Sequence, residues 1–123
     1  MRILFLNNFN YLRGGSERVL FEEMRMLQEA GHEVAIFTRQ YARNHPAPYE
    51  GYFPREIQRD TYRVSLAGVR TVKEMIYSSA ARDGLRPLLG TFKPDLVHAH
   101  NIYGGLSTAV LDAVKDAGTP AVM

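Results

Sequence analysis

Two short runs hold the residues whose types and spacing suit ligand chemistry: Arg13-Gly14-Gly15-Ser16-Glu17-Arg18, and His98-Ala99-His100-Asn101. Two adjacent glycines ahead of a helix let the backbone reach positive φ and approach a bound group with no Cβ in the way. The first amides of such a helix carry partial positive charge. A phosphate-like anion fits that turn, and so does a tight strand-to-helix connection that binds nothing. No third glycine follows three residues on and no acidic residue stands at Thr38, so the dinucleotide fingerprint is not met. A P-loop is excluded because no lysine with Ser or Thr closes a longer glycine loop.

His98 and His100 are two apart, which on a strand places them on one face with Ala99 on the other. His98 reads either as a core histidine or as a ligand contact. His100, followed by Asn101, falls at the carboxyl end of a strand, where doubly wound sheets bind ligands, and reads as a ligand contact. Near neutral pH an imidazole there can donate to a hydroxyl or a phosphate, or relay a proton. No neighbouring Asp, Glu or Cys completes a zinc set, so no metal is expected. No Ser-His-Asp arrangement, nucleophile elbow or carboxylate pair for glycoside hydrolysis can be placed at one rim. His32 and Glu33, at the other end of the sheet, read as structural.

The elements that must position these groups follow from hydrophobic spacing. Ile3 to Leu6 is a short continuous apolar run, the form of a parallel strand covered on both faces. A helix follows, with Ser16 as its expected N-cap, Val19, Leu20, Met24, Leu27 and Ala30 as its apolar stripe, and Gly31 as its stop. Val34 to Phe37 is the second strand, completing a right-handed βαβ unit. Residues 39–62 hold Pro46, Pro48, Gly51, Pro54 and several aromatics without a period, and read as a long loop, a candidate lid.

A short strand is expected at Tyr62 to Leu66, then a helical region from Val69 to Leu89 broken near Gly84 and Pro87. Leu96 to Ala99 is the next strand. Gly104-Gly105 is expected to open a helix carrying Leu106, Val110, Leu111, Val114 and Ala117, closed by Gly118. A further strand begins at Thr119 and runs into the last residue, which predicts a chain truncated at its C-terminus. The expected fold is α/β: a Rossmann-like three-layer domain with a mostly parallel sheet.

The chain of 123 residues is expected to be one domain able to bury roughly two thirds of its unfolded surface. It holds no cysteine, which points to a reducing, cytoplasmic setting. The apolar start is too short for a membrane span or a signal-peptide core. A net charge of +2 falls short of a nucleic-acid signature, so no nucleic-acid partner is expected. Between Arg39 and Arg86, however, eight arginines and one lysine face five acids, giving this stretch a net +4. It reads either as a solvated surface with arginine stems over apolar neighbours or as an attraction to phosphate or an anionic bilayer face.

Gly14-Gly15-Ser16-Glu17-Arg18, then LQEAGHEVAIFT at residues 27–38, then KPDLVHAHNIYGGLS at 93–107 and AVKDAGTPAVM at 113–123 resemble, in order and spacing, the amino-terminal domain of retaining glycosyltransferases of family 4. The resemblance spans nearly the whole chain and is weakest over residues 40–92. It implies one half of a GT-B architecture, with residues 1–123 as the acceptor-side domain and most of the nucleotide-sugar site in a second domain. Gly14 and Gly15 would then approach the donor diphosphate, and His100 would lie near the transferred sugar as the candidate catalytic residue. Arg13, Asn101 and His98 would contact sugar or acceptor.

The resemblance also implies a nucleotide diphosphate sugar as substrate, with no cofactor and no metal. The acceptor would be a sugar, lipid-linked or phosphorylated, compatible with peripheral attachment at the inner membrane face. It further implies a domain inactive by itself, since the family's paired glutamates belong to the second domain. An open sheet edge is compatible with a homo-oligomer. Two other readings stay open on the residues alone. One is a non-catalytic flavodoxin-like module holding a phosphate ligand or a partner protein; the other is a sugar-nucleotide epimerase of the same two-domain shape, for which no carboxylates stand at the strand ends.

Overall fold

The computed structural model describes residues 1–56 and 66–123. Four strands, β1 (Arg2–Leu6), β2 (Glu33–Phe37), β3 (Leu96–Ala99) and β4 (Ala121–Val122), form one sheet in the order β2-β1-β3-β4. Every pairing is parallel, with Leu6 beside Phe37 on one side and Ala99 on the other. The described residues form four α-helices, α1 (Gly15–Glu29), α2 (Leu66–Ile76), α3 (Ser79–Phe92) and α4 (Ala109–Asp116), of which α1 packs on one face of the sheet and α3 and α4 on the other. One 3-10 turn, Glu50–Tyr52, interrupts the loop after β2.

Alternation along β1 explains the three layers. Ile3 and Phe5 face α1 and pack with Leu20, Ile36, Phe21, Met24 and Leu27. Leu4 and Leu6 face the other way, against Leu85, Leu88 and Phe92 of α3 and Val110 and Val114 of α4. Fully burying such a side chain contributes about 1.5–3 kcal/mol, so the two faces hold β1 at the centre of the fold. The apolar stripe of α1 is Leu20, Met24 and Leu27; Val19, expected in it, is exposed.

Several boundaries differ from the sequence reading, each for a physical reason. Gly14, not Ser16, is the N-cap of α1, and Ser16 lies in the first turn, donating to Glu17. The helical region after residue 66 breaks at Tyr77–Ser78, where the Ser78 hydroxyl caps α3 by accepting from the Ala81 amide. Gly84 and Pro87 both lie inside α3. Gly84 is there because a Cβ would stand 2.6 Å from the Tyr52 carbonyl oxygen, and Pro87 is on the exposed face, where water can take the freed carbonyl. Helix α4 starts at Ala109 rather than at Gly105, because residues 104–107 form a turn with Gly104 and Ser107 at positive φ. Gly31 and Gly118 close their helices at positive φ, as glycines after a helix do. The strand expected at 62–66 lies outside the described residues except for Leu66, the first residue of α2.

Candidate functional site

The order β2-β1-β3-β4 makes the carboxyl ends of β1 and β3 a switch point: the chain moves to one side of β1 to make β2 and to the other side to make β3. Connections leaving those two ends splay apart and open a crevice, the usual ligand position in parallel α/β sheets. The loop after β1 carries Arg13, Gly14 and Gly15, and the loop after β3 carries His100 and Asn101. The fold therefore brings both runs to one edge.

Three asparagines fasten that edge. Asn8 donates from its backbone to the Asn101 carbonyl (2.8 Å) and from its carboxamide to the Tyr103 carbonyl (2.7 Å), and accepts from the Leu106 amide (2.8 Å). Asn7, fully buried, accepts from the Asn101 amide (3.2 Å) and donates to the Phe9 carbonyl (2.7 Å). Asn10 does the same work toward the loop after β2: its carboxamide donates to the His45 carbonyl (3.1 Å) and its amide to the Asn44 side chain (3.2 Å). Sequence reasoning missed all three. The available signal was three asparagines in the four positions after a buried strand, side chains that both donate and accept and so tie loops rather than extend strands.

Gly14 and Gly15 do not adopt positive φ. Gly14 is extended, with φ −166° and ψ −167°, and Gly15 is the first residue of α1. Neither is glycine because of backbone strain. What they provide is space: a Cβ on Gly15 would meet nothing within 4 Å, and one on Gly14 would meet only the Glu17 carboxylate at 3.8 Å. Among the described residues, no side-chain hydrogen bond caps the start of α1. Glu17 is 3% exposed and turned inward in the first helical turn, where the helix dipole favours its charge. Arg13 and Arg18 are exposed beside it, and the Arg13 guanidinium lies over the Phe9 ring at 4.3 Å.

His100 follows the last residue of β3, its amide donating to the Leu6 carbonyl at 2.8 Å. Its Nδ1 is buried and has no hydrogen-bond partner among the described residues. His98 shares its face, the two ring centroids 5.9 Å apart. His98 lies deeper, within the strand: its ring packs on Phe5 at 5.0 Å, and its Nδ1 faces the Glu23 carboxylate of α1 at 3.6 Å. Its partner is thus a side chain of the covering helix rather than a backbone group. Asn101 is held through its backbone by Asn7 and Asn8.

Arg39, read as part of a charged loop surface, is 2% exposed. Its Nε donates to the Gly105 carbonyl (2.8 Å) and its Nη1 to the Arg55 carbonyl (2.8 Å). Its Nη2 donates to Ser78 (2.6 Å) and Glu74 (3.1 Å). The Ser78 hydroxyl also donates to Glu74, and its amide donates to the Ser107 hydroxyl at 2.7 Å. One guanidinium thus joins the end of β2, the loop before residue 56, the α2–α3 junction and the loop after β3. Its charge is spent on the fold. Among the described residues no three His, Asp or Glu side chains gather as a metal site would need.

A parallel α/β/α layer with its crevice at a β1/β3 switch point defines a Rossmann-like domain of the kind paired in GT-B enzymes. The model of glycosyltransferase family 4 matches residues 13–123, and the chain belongs to that family. Among solved structures it is similar to the crystal structure of Acinetobacter baumannii MurG. The TM-score is 0.56 and the identity 15%, over 98% of this chain and 33% of that one. At that identity the likeness speaks for the fold, and the chain spans about a third of that protein's length. Comparison with curated proteins finds no sequence match.

Proposed function

We propose that the chain is the acceptor-side domain of a retaining glycosyltransferase that moves a hexosyl group from a nucleotide diphosphate sugar. The observation that carries this is the crevice at the β1/β3 switch point, with the start of α1 and His100 on the two loops that open at that edge, in a chain of family 4. Gly14 and Gly15 leave room for the diphosphate to reach the first amides of α1. Exposed Arg13 and Arg18 outweigh the single inward carboxylate of Glu17, so the rim there favours an anion. His100, whose Nδ1 has no hydrogen-bond partner among the described residues, is the candidate for contact with the transferred sugar, with Asn101 next to it in the chain and Arg13 on the loop after β1 at the same edge. His98 shares the face of His100 and is assigned with it to contact with the sugar or the acceptor.

Dipoles and basic side chains suffice to stabilise a departing diphosphate, so the reaction needs no metal and no cofactor. Catalysis requires the donor-binding partner domain of the architecture, and residues 1–123 alone are inactive. The setting is cytoplasmic. Helix α2 exposes Val69, Val72 and Ile76 at helical spacing, and this stripe supports peripheral attachment at a membrane face; among the described residues no helix is long and apolar enough to cross one.

The test is transfer by the gene's complete product, screened with uridine, guanosine and adenosine diphosphate sugars in the presence of a chelator. The product's anomeric configuration is read by NMR. Transfer with an α product from an α donor is expected. An inverted product refutes retention, and the lack of transfer from any donor refutes the reading as a whole.

A further inference from the structure

Helix α1 packs on β1 through an apolar stripe, Leu20, Met24 and Leu27, set against Ile3 and Phe5. A carboxylate flanks that stripe. Glu23 reaches over the sheet to His98 of β3, its Oε2 3.6 Å from Nδ1. The register explains the meeting: His98 is level with Phe5 on β1 and points to the same face, the one under α1. Among the described residues no other ion pair holds Glu23, and the proposed reaction does not use it. With the Glu23 side chain 40% exposed, the pair contributes little to stability. Its value lies in what the carboxylate does to the imidazole.

At 3.6 Å the contact is a few tenths of an ångström too long for a hydrogen bond, so it acts through charge. A carboxylate facing one ring nitrogen favours the tautomer with the hydrogen there, because the other tautomer sets a lone pair against a negative charge. His98 is thereby held in its Nδ1–H form. Its Nε2 is left as a bare acceptor, suited to a ligand hydroxyl. The ring is fixed as well, between the Glu23 carboxylate and the Phe5 ring at 5.0 Å.

His100 depends on that ring. Among the described residues no hydrogen bond orients its side chain: Nδ1 is buried without a partner, and the bond to the Leu6 carbonyl is made by the backbone. What the His100 ring does have is His98, edge to face at 63° with centroids 5.9 Å apart, inside the contact range of ring pairs, about 4.5–7 Å. A turn of the His98 ring moves the surface against which His100 rests, and a change of tautomer alters the polarity of that surface. Val122, level with His98 on β4, brings no charge from the far side.

We infer that Glu23 is a positioning residue of the transferase site. It sets the tautomer and the ring of His98, and through that ring it aims His100 at the transferred sugar. The inference rests on the glycosyltransferase reading and adds to it a residue outside the two loops of the crevice.

The test has two readouts. The first uses the 123-residue chain with isotopically labelled histidine. At about pH 8, above the ordinary imidazole pKa near 6.5, long-range NMR correlations read which ring nitrogen holds the hydrogen. His98 is expected to hold it on Nδ1, and Glu23→Leu should move it to Nε2 while the melting temperature stays that of the parent. Glu23→Gln, which removes the charge at constant shape, should move it part of the way and keeps this readout if the leucine variant fails to fold. The second is kinetic. In the complete gene product Glu23→Leu should lower kcat about tenfold and leave the donor KM unchanged, a smaller loss than the roughly hundredfold that an ångström of misplacement can cost. In a His98→Phe background the same substitution should cause no further loss, since the ring it acts through has no tautomer to set.

A His98 hydrogen found on Nε2 in the parent, or one that does not respond to Glu23, overturns the inference. So does a kcat that Glu23→Leu leaves unchanged, or lowers equally with and without His98. The tautomer is read with no substrate present. A responsive tautomer in a gene product that transfers from no donor therefore counts against the transferase reading and leaves the link between Glu23 and His98 standing.

Discussion

Two glycine pairs sit at the same edge of the sheet, one after β1 and one after β3, and they are glycines for opposite reasons. The first pair, Gly14 and Gly15, has ordinary backbone angles and empty space where side chains would be. The second pair is demanded by the fold. Gly104 has φ +72°, and a Cβ on Gly105 would fall on the Asn8 carboxamide, 2.5 Å from its Cγ. Gly105 is locked from the other side as well, through the Arg39 guanidinium on its carbonyl. A glycine that the fold does not require but that stands at a ligand edge is the one whose openness calls for an occupant.

Substitutions can break or sharpen this contrast. The largest effect is expected for Arg39→Met, which keeps the bulk but leaves the Gly105 and Arg55 carbonyls without their donor and Glu74 with the Ser78 hydroxyl but no cation. With Glu74 31% exposed and able to recruit water, a loss of about 3 kcal/mol in denaturant unfolding is expected. A loss below ~1 kcal/mol would show that the second pair is not held through this guanidinium. Gly105→Ala comes next. Asn8 is 3% exposed and bonded at both ends of its carboxamide, so it cannot swing away, and overpacking should cost about 2 kcal/mol.

Gly104→Ala should cost about 1 kcal/mol, the strain of an L-residue in the left-handed region, visible as a lowered melting temperature. Gly15→Ala is the smallest for stability, within about 0.5 kcal/mol of the parent protein. In the complete gene product it should nonetheless lower transfer by roughly tenfold or more, since an added methyl displaces the ligand by about an ångström. If Gly15→Ala instead unfolds the chain and leaves catalysis per folded molecule intact, the two pairs are alike and the contrast collapses.

The same contrast explains what the sequence could and could not reveal. Ile3–Leu6, Val34–Phe37 and Leu96–Ala99 are apolar runs whose local pattern suffices to mark them as buried strands. Their order then fixes which loops share an edge, so the convergence of Gly14–Gly15 with His100–Asn101 was legible. The role of Arg39 was not, because its four partners come from three distant segments and no local pattern separates a buried arginine from a solvated one. Gly84 misled for a related reason: it was read as a helix break, but it is a contact point where the Tyr52 carbonyl presses on α3. The positive φ assigned to Gly14 and Gly15 followed from residue type alone. The structure gave that conformation to Gly104, whose neighbour's carbonyl and the Asn8 side chain fix the turn.

The bonds that build the edge have a kinetic consequence. Asn7 and Asn8 meet Asn101, Tyr103 and Leu106 across sequence separations of 94, 95 and 98 residues. Contacts of that range close only when a folding chain has already gathered most of its length, and they are among the slowest to form. No partly folded species in which β3 has yet to dock on β1 can possess the crevice. Any molecule that occupies it therefore binds the native ensemble and nothing earlier, and draws the folding equilibrium of the whole domain toward completion in proportion to its own concentration.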